Sequence, residues 1–283
     1  MKLTRILLPV DFSEQGDGAA QQAGELARHF DAELILLHVN PIMVPALTPS
    51  GEFSGPIDTG WITALEAQAR RDLDRYHQAD LTGARVVKIA LTGDPAGSIV
   101  EFAHRGKTDL IVMPTHGYGP FRKLLLGSVV AKVLHDADVP VWTGAHLQRS
   151  SRSMWRRINR VLCAIDLRSA EAPLLWAHDF ASEFKAEIVI VHAVDELEEP
   201  TDLAASSASQ AREQIRCLQG KLSMAGEVLI EKGDAVQVVV AAANRRNADL
   251  IVIGRSSRDT ALGRLRPNAY SIIRNAPSPV VSV

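Results

Sequence analysis

The chain has 283 residues, is 46% hydrophobic and 23% charged, and sets 31 Lys and Arg against 33 Asp and Glu for a net charge of −2. That length accommodates two domains of ordinary size, and the charge balance excludes both a disordered chain and a general attraction to nucleic acid or a membrane surface. Two cysteines, Cys163 and Cys217, are too few and too far apart for a disulfide framework or a zinc site, and no window nears the ~18 apolar residues of a membrane span. The opening run "MKLTRILLPVD" meets Asp11 too early for a signal peptide, which makes the cytoplasm the expected compartment.

Along the chain, short runs of Val, Ile and Leu alternate with longer amphipathic stretches. The pattern predicts strands at about 4–10, 33–39, 84–90, 109–113 and 139–143, and helices at about 14–29, 61–79, 96–105 and 127–136. Continuous apolar strands such as "LILLHV" and "LIVM" are what a parallel sheet covered on both faces requires. The alternation of strand and helix then gives a doubly wound α/β sheet. A long Pro- and Gly-rich connection, Pro41 to Gly60, follows the second strand at the ligand edge and reads as a lid or as a disordered surface loop.

The remainder repeats the same order. "RILLPVDFSE" at 5–14 returns as "RVLCAIDLRS" at 160–169, and "ELILLHVN" at 33–40 as "EIVIVHAVD" at 187–195. Gly93-Asp94 matches Gly233-Asp234, and Asp109-Leu110-Ile111-Val112 matches Asp249-Leu250-Ile251-Val252. The chain therefore reads as a tandem duplication, with domains at 1–147 and 156–283. The terminal segments "DVPVWT" and "PSPVVSV" are the expected contact between the halves, because an exposed sheet edge seeks a partner.

In open sheets of this kind a ligand lies beyond the carboxyl ends of the strands, where the winding reverses. Pro9, Asp11 and Ser13 follow the first strand: Asp11 can accept hydrogen bonds from ribose hydroxyls or an adenine amine, or Asp11 and Ser13 can cap the next helix. Val39 can offer backbone groups to a base edge, while His38 reads as a core histidine with a satisfied ring. After the fourth strand, Pro114, His116 and Gly117 lead through Arg122 to Gly127-Ser128, which open a helix. A helix N-terminus carries unpaired N–H groups and partial positive charge, which favour phosphate. Gly127 admits close approach, Ser128 adds a hydroxyl, and Arg122 and Lys123 can add charge or simply remain solvated.

The stretches "ILLPVDFSE", "TGDPAGSIVEFA", "DLIVMPTHG" and "LLLGSVVAKVLHDADVPVWT" together resemble the universal stress protein family in its tandem form. The resemblance spans nearly the whole chain. It implies a five-stranded parallel sheet of order 3-2-1-4-5 in each half, flanked by helices, and bound ATP accompanied by a divalent cation such as Mg2+ or Mn2+. Asp11 and Val39 are implied to hold the adenosine, and Gly117, Gly127, Ser128 and the Val129 N–H the phosphates. The family signature G-x2-G-x9-G-[ST] stands here as Pro114-x2-Gly117-x9-Gly127-Ser128, so its first glycine is replaced by a residue without an N–H. Members commonly pair through their fifth strands, which implies pairing of the two halves or a homodimer.

The second half departs further. Ser257 stands where the first has Gly117, and Pro267-Asn268, or Arg266-Pro267 with a one-residue deletion, replaces Gly127-Ser128. Asp166 persists in the place of Asp11, but four carboxylates within Asp195–Pro200 would repel phosphate. ATP is thus expected in the first half only, as a regulatory ligand or slowly hydrolysed switch, with His116 the sole histidine placed to touch the phosphates. The competing readings are weaker. Gly16 and Gly18 lack the third glycine of a dinucleotide fingerprint, and no G-x4-G-K-[ST] occurs. No H-E-x-x-H or similar ligand cluster marks a metal enzyme. The basic joint holding Arg149, Arg152, Arg156, Arg157 and Arg160 reads as a solvated linker rather than a nucleic-acid site. A nucleotide-independent, chaperone-like interaction scaffold is the alternative.

Overall fold

The apolar runs fold as one continuous sheet. The structure, a computed structural model, describes residues 1–41, 60–115, 126–144, 158–194, 201–255 and 267–283. The first half contains β1 (Arg5–Pro9), α1 (Asp17–Phe30), β2 (Glu33–Pro41), α2 (Gly60–Arg75), β3 (Arg85–Gly93), α3 (Pro95–Arg105), β4 (Leu110–Pro114), α4 (Ser128–Asp136) and β5 (Val141–Gly144). The second contains β6 (Arg160–Ala164), α5 (Glu171–Phe184), β7 (Glu187–Val194), α6 (Thr201–Lys221), β8 (Glu227–Lys232), α7 (Ala235–Arg246), β9 (Leu250–Ile253), α8 (Pro267–Asn275) and β10 (Val280–Ser282).

The strands lie in the order β3-β2-β1-β4-β5-β10-β9-β6-β7-β8. Each half is therefore a parallel sheet of order 3-2-1-4-5, as the resemblance implied. The halves meet where β10 runs antiparallel to β5, with Val281 opposite Trp142 and Ser282 opposite Val141. Two hydrophobic cores cover the two faces, and each draws residues from both halves. This double burial is why Ile6-Leu7-Leu8 and Leu110-Ile111-Val112 are apolar without alternation.

Local chemistry recurs with the repeat. Asp94 caps α3 by accepting the Gly97 N–H at 2.9 Å, with Pro95 following as the first helical residue. Asp234 caps α7 from the same place, accepting from Val236 and Gln237. The Gly-Asp pairs are thus helix starts. Asp109 accepts the N–H groups of Thr4 and Arg5, and Asp249 accepts those of Asn159 and Arg160, so the two aspartates anchor equivalent strand entrances. Cys163 is fully buried in the core, within the apolar β6, and burial pushes its thiol pKa up.

Three expected boundaries shift. The first helix begins as a 3-10 turn over Glu14–Gly16 before α1 proper, because Asp11 holds Ser13 extended just ahead of it. The helix expected to run to 79 ends at Arg75, where His77 adopts a left-handed φ of 45°. The imidazole of His77 meets Asp80 through Nδ1 and Asp17 through Nε2, both at 2.8 Å, which ties this turn to α1. β3 runs on to Gly93 because it pairs with β2 along nine residues. Of the lid expected at 41–60, residues 42–59 lie outside the described residues, as does the acidic run at 195–200. Of the basic joint, Arg149, Arg152, Arg156 and Arg157 lie outside them, while Arg160 opens β6 and pairs with Glu187 at 2.7 Å.

Candidate functional site

β1, β2 and β4 are neighbours, with β1 in the middle, so their carboxyl ends bring Pro9, Asp11, Val39 and Pro114 to one edge of the sheet. The chain leaving β1 is held closely. The Val10 N–H donates to the Leu37 carbonyl at 2.8 Å, and the Val10 carbonyl accepts from His38 Nδ1 at 2.7 Å. His38 Nε2 lies 3.2 Å from Asn40 Oδ1, so this histidine is the satisfied structural residue that its apolar run predicted.

Asp11 is exposed, and one of its oxygens, Oδ1, accepts both the N–H and the hydroxyl of Ser13 at 3.0 and 2.6 Å. It forms a local turn rather than capping α1, whose N-cap is Gly16. Its other oxygen, Oδ2, accepts no hydrogen bond among the described residues. Phe12, between them, takes a left-handed φ of 58°, uncommon for a bulky side chain. That conformation lays its ring 4.6 Å from His38 and 5.9 Å from Tyr76.

Tyr76 is the residue that motif reasoning missed. It sits just beyond α2, and burial, then the charges of Asp17, Asp11 and Asp80, raise its phenol pKa. A Cβ on Gly16 would lie 2.8 Å from its hydroxyl oxygen, so Gly16 is small in order to admit Tyr76. Nothing in the local sequence around Tyr76 signals this approach, which depends on where α2 returns to the sheet.

On the other side of β1, α4 begins at the exit of β4. The Gly127 N–H donates to the Thr115 carbonyl at 3.0 Å, closing the loop back on the strand. The first intrahelical bond runs from the Ala131 N–H to the Gly127 carbonyl at 2.8 Å. The amides of Ser128, Val129 and Val130 therefore precede the helical ladder and point out of the α4 N-terminus. Gly127 itself caps nothing with a side chain, and its φ of −59° and ψ of 143° suit any residue. Backbone freedom is therefore not what a glycine supplies here. Ser128 is exposed, whereas Val129 packs its side chain toward the core and has only its backbone to offer. His116, Gly117 and Arg122 lie outside the described residues.

The second half repeats this frame with other groups. Asp166 Oδ1 accepts the Arg168 N–H at 3.0 Å, and His192 Nδ1 lies 3.1 Å from the Ile165 carbonyl, matching Asp11 and His38. A cleft of about 530 Å³ opens at this edge, lined by residues that include Asp166, His192, Val194, Gly254, Asn268 and Ile272. Its floor is a doubly wound switch point like that of the first half. Its helix, however, opens on Pro267, which has no N–H to donate.

Comparison with known proteins supports the repeat independently. The model of the family described as Universal stress protein family matches residues 2–143 and again 157–283. A universal stress protein of Methanocaldococcus jannaschii is 33% identical over 142 residues, covering 48% of this chain and 79% of the relative. Universal stress protein A homolog 1 of Coxiella burnetii is 32% identical over 142 residues, covering 50% of this chain and 95% of its own. The crystal structure of a universal stress protein from Archaeoglobus fulgidus superposes with a TM-score of 0.74 at 23% identity, covering 100% of this chain and 98% of the other, which speaks for the fold.

Proposed function

The chain belongs to the universal stress protein family, with two family units in tandem, and from that premise we propose that its first half binds an adenine nucleotide, ATP, as a regulatory ligand or slowly hydrolysed switch in a stress response. The observation that carries this reading is the opening of α4: Gly127 turns back onto Thr115 and leaves the amides of Ser128 and Val129 at the edge where Asp11 emerges from β1. The helix terminus suits a polyphosphate, because unpaired N–H groups and the helix dipole act together on an anion. Asp11, with Oδ2 available, suits a ribose hydroxyl, and the backbone of Val39 suits a base edge.

On this reading Gly117 and Ser128 complete the grip on the phosphates, His116 and Arg122 border it, and Pro9 and Pro114 shape the strand exits without donating. Among the described residues no group of three His, Cys, Asp or Glu is placed to hold a metal. Mg2+ or Mn2+ would therefore enter on the phosphates of the nucleotide, in keeping with the preference of such ions for phosphate oxygens and water. The second half, whose α8 begins with proline, takes no triphosphate. We propose domains at 1–147 and 156–283 that pair within one chain through β5 and β10, and a cytoplasmic protein with neither nucleic acid nor membrane as partner.

One observation favours the alternative of an interaction scaffold that needs no nucleotide. Trp61 and Leu65, one turn apart on α2, and Val87 on the outermost strand β3 are exposed large apolar side chains. Thermal unfolding with and without ATP separates the two. A site with Kd near 10 µM at about 1 mM ATP adds roughly 2.7 kcal/mol to the folded state. An unchanged melting temperature with ATP, in Mg2+ and in Mn2+, rules for the scaffold.

A further inference from the structure

The α4 N-terminus faces the proposed phosphates, so whatever holds its other end also aims its amides. α4 is only nine residues long, and its last carbonyls lack intrahelical partners. The basic residue of its own last turn, His135, lies 2.6 Å from Asp136. The guanidinium that reaches this end comes from the second half. Arg255 Nη1 donates to the Ala137 carbonyl at 2.8 Å and the Leu134 carbonyl at 3.4 Å, and Nη2 donates to the Val139 carbonyl at 2.6 Å. Its own N–H donates to the Val283 carbonyl at 2.7 Å, so the residue is fixed by the end of the β9–β10 pair from which it extends.

A second contact supports the first. Tyr270 of α8 donates its hydroxyl to the Ala131 carbonyl of α4 at 3.3 Å. The repeat also makes the clasp one-sided. Counting from Asp109 and Asp249, the residue equivalent to Arg255 is Thr115, which carries no cation and accepts the Gly127 N–H within its own half. A planar guanidinium can bridge several carbonyls while its charge complements the negative end of the helix dipole, which a threonine cannot do.

We propose that Arg255 is a positioning residue for the phosphate end of the first-half site, acting through the C-terminus of α4, so that the half without a phosphate cradle sets the grip of the half that has one. The inference rests on the nucleotide reading above. It separates the two ends of the ligand: the polyphosphate is held by α4, whereas the adenosine is held from β1 and β2, which Arg255 does not touch.

The test compares ATP and adenosine binding by titration calorimetry on the full chain. Arg255→Ala is expected to weaken ATP about fivefold to tenfold and to leave adenosine within about twofold of the wild type. Arg255→Lys keeps the charge but not the fork and is expected to fall between them. Amide hydrogen exchange at Ser128–Val130 should speed up in Arg255→Ala. Unchanged ATP affinity in a folded Arg255→Ala protein overturns the inference, and so does an equal loss for ATP and adenosine, which marks a merely structural role. If Arg255→Ala does not fold, Arg255→Lys and Tyr270→Phe carry the same comparison. A wild-type chain that binds no ATP overturns the functional reading and this inference with it, whereas ATP binding indifferent to Arg255 overturns the inference alone.

Discussion

α4 and α8 occupy the same place in the two halves and pack against each other across the junction, yet one opens with Gly127-Ser128 and the other with Pro267-Asn268. The frames behind them are almost interchangeable. Asp94 and Asp234 cap the preceding helices, Asp109 and Asp249 anchor the strands, and His38 and His192 brace the same turn. The difference teaches that the sheet and its caps sustain the fold, while the rim beyond the strand ends is free to diverge. A cleft of about 530 Å³ opens in the second half, where α8 begins on Pro267 and offers no N–H at that position.

The largest expected effect comes from breaking what the halves share. Phe180 of α5 is fully buried and touches Trp142 of β5, Trp176, Phe184 and, from α1, Phe30. The Trp142 indole in turn donates to Gln22 of α1 at 2.7 Å. Phe180→Ala should lower stability by about 3–5 kcal/mol in urea unfolding. If the halves are one cooperative unit, fluorescence and circular dichroism will report a single shifted transition; two transitions would show them to be independent.

Next in size is the rim. Because Gly127 has dihedral angles open to any residue, Gly127→Ala should leave the melting temperature within about a degree while weakening ATP at least about tenfold, or ~1.4 kcal/mol. Ser257→Ala, in the second half, should change neither. Equilibrium titration showing the opposite pattern would assign the nucleotide to the other half.

The smallest effect is one of pH at a helix cap of the first half. Asp94 is paired with Lys132 of α4 at 2.9 Å, and this hydrogen bond, then that from the Gly97 N–H, holds its carboxyl pKa below the usual 3.8. A carboxyl whose pKa is lowered by folding contributes stability above its unfolded value, and that contribution is lost as pH falls through the folded one. The matching position in the second half, Asp234, has the helix cap without a lysine on α8, where Ser271 stands in the register of Lys132 or Ala131. Carbon-detected titration should therefore find Asp94 ionised to lower pH than a free aspartate, with Lys132→Met returning it toward the usual value. Both side chains are exposed, so the accompanying change in stability should be slight.

Much of this architecture was legible beforehand. Strands buried on both faces must be apolar throughout, so runs such as Leu34–Leu37 and Leu250–Ile253 declared themselves. The helix expected at about 96–105 is α3, Pro95–Arg105, and its cap at Asp94 is local chemistry that the repeat of Gly93-Asp94 as Gly233-Asp234 already shared. The left-handed turns at Phe12 and His77 were not legible, since neither residue type announces a positive φ. Their partners are fixed from elsewhere: Phe12 by His38 and Tyr76, and His77 by Asp17, sixty residues away.

The sequence by itself determined that two copies of one α/β unit follow each other, that each would be wound about a parallel sheet, and that one of the two last helices opens on glycine and serine and the other on proline. These are matters of periodicity, capping and the presence or absence of an N–H, all decided within a few residues. Only the tertiary structure decided that Tyr76 returns to the strand edge beside Asp11, that Val281 lies opposite Trp142, and that Arg255 closes on the far end of α4. Such contacts depend on the placement of segments dozens of residues or more apart, and that placement follows from how the helices pack on the sheet and not from any local preference of the residues concerned.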